Sequence, residues 1–175
     1  MEQRAEIVIV MGVSGAGKTS LGRALATALG WRFVEGDDYH PIHNVEMMAA
    51  GIPLTDRERT PWLQALCQEI NGLQVAGQSA VITCSALKQT YRAMLRAQAP
   101  EIEFVYLHGP PALLEQRLQR RQGHFMGANL LASQWADLDI PSPKIALRLD
   151  AAAPIHRLVQ QVCEHLGHGP HSRAF

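Results

Sequence analysis

Eight residues constrain this chain more than any others: Gly12-Val13-Ser14-Gly15-Ala16-Gly17-Lys18-Thr19, which fits the pattern G-x-x-x-x-G-K-[ST]. They follow an unbroken apolar run, Ile7 to Met11. They precede a segment in which Leu21, Leu25, Ala28 and Leu29 recur at helical spacing before Gly30. A strand buried on both faces, a glycine-rich turn and a helix N-terminus, in that order, make an anion cradle. The glycines let successive main-chain N–H groups face one phosphate, and the helix end adds partial positive charge. Lys18 is then placed to reach the outer phosphates of ATP, and the Thr19 hydroxyl to complete a Mg²⁺ shell. Gly12, Val13, Ser14, Gly15, Ala16, Gly17, Lys18 and Thr19 are therefore the expected nucleotide-binding set.

The rest of the chain repeats the alternation. Apolar runs at Arg32 to Glu35, Ala80 to Cys84, Phe104 to Leu107 and Ile145 to Leu149 read as further strands. Between them lie helical patterns: one ending near Gly51, one closed by Gly77, one from Leu87 to Arg96, one opened by Pro110 and Pro111, and one from Pro154 to Gly167. Thr60 before Pro61 reads as the N-cap of the second of these. From the basic helix end to Pro143 the chain reads as a polar-apolar stretch with no element assigned, and the tail from His168 reads as frayed. With 175 residues, 47% of them apolar, the expectation is one α/β domain over residues 1–175. Its parallel sheet would carry helices on both faces, a substrate-binding helical region at about 37–76 and a lid at about 121–141.

Sixteen basic residues balance sixteen acidic ones, which argues against a domain that grips nucleic acid electrostatically. A small-molecule partner is favoured. No apolar stretch approaches a membrane span, and Met1-Glu2-Gln3-Arg4 leads straight into the first strand, so a cytoplasmic, non-membrane protein is expected. Cys67, Cys84 and Cys163 form no Cys-x-x-Cys pair and read as reduced. The His40/His43 pair and the tail histidines His165, His168 and His171 lack a Cys or carboxylate at ligand spacing, so a metal role is not assigned to them.

The run Ala80 to Cys84 ends at Ser85, where many proteins with this octet carry an aspartate. The carboxylates nearest a strand's C-terminal edge are instead Glu35, Asp37 and Asp38, at the crevice where open parallel sheets bind ligands. Asp37 is the candidate to accept the proton of an acceptor hydroxyl, with Glu35 or Asp38 holding magnesium through water. For Asp38, capping the next helix is the competing reading. Arg117 and Arg121, four apart on one helix, can neutralise a moving phosphate, or simply form a solvated basic helix end.

Beyond the octet, the sequence carries Gly36-Asp37-Asp38, His40-Pro41, Asn44, Met48, Gly51, Pro53-Leu54, Asp56, Arg59 and Pro61-Trp62-Leu63. It continues with Cys84-Ser85-Ala86-Leu87-Lys88, Tyr91-Arg92 and Arg121 before Gly123-His124-Phe125. In these residues, over nearly its whole length, the chain resembles the small ATP-dependent gluconate kinases of the thermoresistant type. The resemblance implies an adenylate-kinase-like three-layer fold with a five-stranded parallel sheet, Mg²⁺·ATP as donor, gluconate as acceptor and a homodimer. It further implies that Asp37, Lys88 and Arg92 face the substrate and that Arg117 to His124 belong to the lid. Together with the reading of the motifs, the expected catalytic set is Lys18, Asp37, Arg117 and Arg121, and the expected substrate set is Asp37, His40, Arg59, Lys88, Arg92 and His124. A surface pair at i, i+4 is the other reading of Lys88 and Arg92. Met47 and Glu58 depart from the commoner pattern, as do Met126 to Asn129 and Ile145 to Leu149. A shikimate- or nucleotide-type kinase is the alternative on the same fold, and a non-catalytic nucleotide-binding module the lower one.

Overall fold

Five short apolar strands need cover on both faces, and the chain supplies it by returning through a helix after nearly every strand. The computed structural model describes residues 5–121 and 127–169. Its strands are β1 (Ile7–Met11), β2 (Arg32–Glu35), β3 (Ala80–Thr83), β4 (Glu103–His108) and β5 (Ala146–Asp150). All pair in parallel in the order β2-β3-β1-β4-β5. The helices are α1 (Lys18–Leu29), α2 (Ile42–Ala49), α3 (Asp56–Val75), α4 (Gln89–Arg96), α5 (Pro111–Arg120), α6 (Ala128–Asp137) and α7 (Ile155–His165).

The two-residue period of β1 divides the core. Ile7, Ile9 and Met11 point into one layer with Trp62, Leu63, Leu66 and Ile70 of α3 and Leu95 of α4. Val8 and Val10 point into the other, with Leu21 and Leu25 of α1, Leu114 of α5 and Leu158 and Val162 of α7. The result is the expected three-layer arrangement with β1 at its centre, and the strand order reverses beside β1, which places a ligand crevice at its carboxyl end. No helix among the described residues is long and apolar enough to cross a membrane.

Three local expectations are corrected. The cap of α3 is Thr55, not Thr60: Glu58 Oε2 accepts the Thr55 N–H at 2.9 Å, a capping box whose glutamate is one of the positions that depart from the commoner pattern. Pro61 lies inside α3, and the Thr60 hydroxyl donates to Asp56 O at 2.7 Å. The stretch before Pro143 contains α6, whose Leu130 and Leu131 are buried. His168 is held: its ring meets Trp31 edge-on at 5.5 Å, and Nε2 lies 3.1 Å from a Glu6 carboxylate oxygen.

Candidate active site

The octet leaves β1 and enters α1 as expected, with Gly17 in the left-handed region at φ 95° as the helix N-cap. Gly15 shows why the loop needs glycine. Its φ is +84°, and a Cβ there would stand 2.6 Å from the Leu114 carbonyl oxygen. Lys18 is enclosed, and its ammonium donates to Val13 O at 3.1 Å, folding back along the loop. Burial pulls its pKa below the ordinary lysine value, against the opposing pull of Asp37 and Glu35. A half-buried cation beside a cradle of amides is suited to receive a polyphosphate.

Glu35 closes the end of β2 over this loop. The Thr19 hydroxyl donates to Glu35 Oε2 at 2.7 Å, the Thr83 hydroxyl hydrogen-bonds Glu35 Oε1, and the Gly36 N–H donates to Thr83 Oγ1 at 3.2 Å. The approach of β2 to β3 is so close that a Cβ on Gly36 would lie 1.9 Å from Thr83 O. Of the two carboxylates read from the sequence for magnesium, geometry brings Glu35 to Thr19 and leaves Asp38 exposed. A hydroxyl and a carboxylate oxygen beside a phosphate cradle suit a hard divalent cation.

On the other side of Lys18 opens a pocket lined by Asp37, His40, Arg59, Trp62, Ser85 and Gln134. Trp62 builds its floor: the indole N–H donates to Gly36 O at 2.8 Å, and the ring stacks on His40 with centroids 4.3 Å apart. Asn44, buried, donates to Glu58 O at 2.8 Å and lies 3.2 Å from His40 Nδ1. Burial drives the His40 pKa down to about 4, so the ring is neutral near pH 7. Its Nδ1 then accepts from Asn44, and the Nε2–H is left as a donor.

The basic residues divide into groups. Arg59 lines the pocket, buried, and donates to Asp137 Oδ2 at 2.7 Å and to the Tyr91 hydroxyl at 3.1 Å. Lys88 stands nearby, 2.8 Å from Asp56 Oδ1 and 3.8 Å from Asp137 Oδ1. Arg92 is no surface partner of Lys88. It is buried and donates to the carbonyls of Ala86, Leu87 and Asp139 at 2.8, 3.0 and 2.9 Å. It thereby clamps the β3–α4 loop, where Ala86 takes a positive φ of 44°. Arg117 ties the phosphate loop to the β5–α7 turn, donating to Ala16 O at 3.3 Å and Ala151 O at 2.6 Å. Arg121 borders the same groove as Gly17 and Arg117. His124, read as a substrate residue, lies outside the described residues.

Sequence reasoning passed over Thr83, Gln134 and Asp137. Thr83 was hidden because it lies within the apolar run of β3, whereas the expected carboxylate position is the one after that run. Gln134 and Asp137 lie on α6, where the amphipathic period was weak. The one available signal was their three-residue spacing, which puts both on one helical face.

The comparisons with known proteins agree with this geometry. Residues 7–139 match the family model described as "AAA domain". A gluconokinase of Gluconobacter oxydans is 54% identical over 142 residues, covering 81% of this chain and 79% of that protein. The chain belongs to the gluconokinase family. A sugar kinase from a Janibacter species superposes with a TM-score of 0.89 at 40% identity, over 98% of this chain and 99% of that one. The crystal structure of a gluconokinase from Sinorhizobium meliloti gives 0.80 at 40% identity, over 95% and 98%.

Proposed function

We infer that this gluconokinase-family chain phosphorylates D-gluconate to 6-phospho-D-gluconate with ATP. One observation carries the reading: Lys18 of the phosphate cradle and Asp37 line the same pocket, so a phosphate donor and a hydroxyl acceptor meet there. In-line transfer follows. The acceptor hydroxyl oxygen bonds to the γ-phosphorus as the bond to the β–γ bridging oxygen breaks, ADP leaves with that electron pair, and Asp37 takes the hydroxyl proton. Lys18 pairs with the phosphates and stabilises the charge that moves. Neutral His40 donates to a substrate hydroxyl, while Arg59 and Lys88 attract the carboxylate.

Arg117 and Arg121 flank the donor side and offset charge on the phosphates. The groove they share with Ala151, Ala153 and Pro154 receives the nucleoside. Magnesium would be held by Thr19, with Glu35 acting through water, and would neutralise charge between the outer phosphates. The same reading takes residues 1–175 as one domain, 37–76 as its substrate-binding region and 121–141 as its lid, with a cytoplasmic homodimer as the working form.

Steady-state rates with gluconate, other sugar acids, shikimate and nucleoside monophosphates test it. Gluconate should lead by orders of magnitude in kcat/KM. A preference for shikimate or a nucleotide would assign a different acceptor, and ATP binding without turnover on any acceptor would leave only a nucleotide-binding module.

A further inference from the structure

Gln134 of α6 makes the contact that the kinase reading does not explain. Its side-chain Oε1 accepts the Ser14 main-chain N–H at 2.7 Å, across 120 residues of sequence. Ser14 is the third residue of the cradle and, unlike Ala16 and Gly17, it lines the acceptor pocket with Asp37. Its N–H therefore belongs to the end of the cradle that meets the terminal phosphate. An amide oxygen now sits where a phosphoryl oxygen must sit to use that N–H. The same pocket is lined by Asp37, His40 and Arg59, so a phosphoryl oxygen that replaced the amide oxygen would face the acceptor side.

The far end of α6 is fastened on the acceptor side. Asp137 holds Arg59, the Asp139 N–H donates to Leu87 O at 2.8 Å, and Arg92 donates to Asp139 O. Gln134 can thus leave Ser14 by turning its amide while the end of α6 stays anchored. A carboxamide carries both an acceptor and donors, whereas a phosphoryl oxygen only accepts. We propose that Gln134 is a further catalytic residue: it yields the Ser14 N–H to a γ-phosphoryl oxygen and then donates its Nε2–H to that same group. The proposal rests on the kinase reading and adds to it a phosphoryl ligand supplied from α6.

Gln134→Glu separates this from a purely structural bond. A carboxylate accepts the Ser14 N–H at least as well as the amide does, so a structural role predicts an unchanged melting temperature and an unchanged kcat at saturating ATP. A phosphoryl-donor role predicts a loss of about 100-fold or more in kcat and a raised KM for ATP, since the glutamate has no donor and repels the phosphate. That deficit, relative to wild type, should shrink as pH falls and the new carboxyl protonates. Gln134→Ala frees the Ser14 N–H, so kcat should drop while affinity for ATP is kept or improved. Wild-type kcat and ATP KM in either variant overturns the proposal while leaving the kinase reading intact, because wild type assayed with gluconate tests that reading separately. Melting curves of both variants identify any loss that comes from unfolding.

Discussion

The donor and acceptor halves of the site are built in opposite ways. The phosphate cradle is one contiguous octet whose working groups are main-chain amides, one ammonium and one hydroxyl. The acceptor pocket draws side chains from the turn after β2, from α3, from the β3–α4 loop and from α6, residues 37 to 134 of the chain. Main-chain recognition asks only for a backbone path, which glycine at a few positions secures. Side-chain recognition asks that several elements arrive in register. The donor half is therefore set by local sequence, and the acceptor half by the packing of α3, α4 and α6 on the sheet.

The sharpest way to break this division is Asp37→Asn. Loss of the proton acceptor should reduce kcat about 10²–10⁴-fold, while titration with ATP shows little change in nucleotide affinity. A matching loss of ATP affinity would mean that the halves are not separable at Asp37. Gly36→Ala attacks the seam between them. Its Cβ would fall 1.9 Å from Thr83 O, and the strands would have to part, moving Glu35, Thr19 and the Trp62 floor together. A loss of about 1–3 kcal/mol in unfolding free energy should come with weaker binding of both ATP and gluconate. Weakening of one ligand alone would place the seam inside one half.

The same contrast explains what could be read in advance. β1, α1, β2 and the octet were legible because each is fixed by neighbours in sequence: an apolar run, a helical period, a terminal glycine. The start of α3 was misplaced because Pro61 after Thr60 imitates a helix opening, while Thr55 with Glu58 supplies the real one. α6 was missed because its buried face is narrow and its polar residues serve the site: Gln134 reaches Ser14, and Asp137 reaches Arg59. The contacts of Arg92 were not legible either. Nothing local says that a guanidinium will spend its N–H groups on three carbonyls from two loops.

Arg92 offers a smaller test that sharpens the acceptor half. Lysine cannot reproduce a planar fork spanning the Ala86, Leu87 and Asp139 carbonyls. Arg92→Lys should cost about 1–3 kcal/mol of stability, read from chemical unfolding, by leaving buried carbonyls unpaired. If Arg92 acts only through the loop, the KM for gluconate measured well below the melting temperature should change little. A large rise in that KM, with stability unchanged, would instead assign Arg92 to direct contact with the substrate carboxylate.

His40 gives the smallest effect and the one with a pH signature. Its folded pKa is lowered to about 4 by burial against Trp62, whereas the unfolded chain titrates near 6.5. Between these values the unfolded state binds the extra proton, so stability is complete above 6.5 and is lost as pH falls toward 4. At pH 6 the loss amounts to about 0.8 kcal/mol. His40→Gln keeps an amide in the pocket but has no such titration. The stability difference between wild type and variant should therefore shift against wild type from pH 7.5 to pH 5, in low salt and high salt alike, because the cause is burial and not a screened surface charge. A difference that stays flat over that interval would show the ring to be solvated in the folded protein, and its assignment as a neutral donor to gluconate would fall with it.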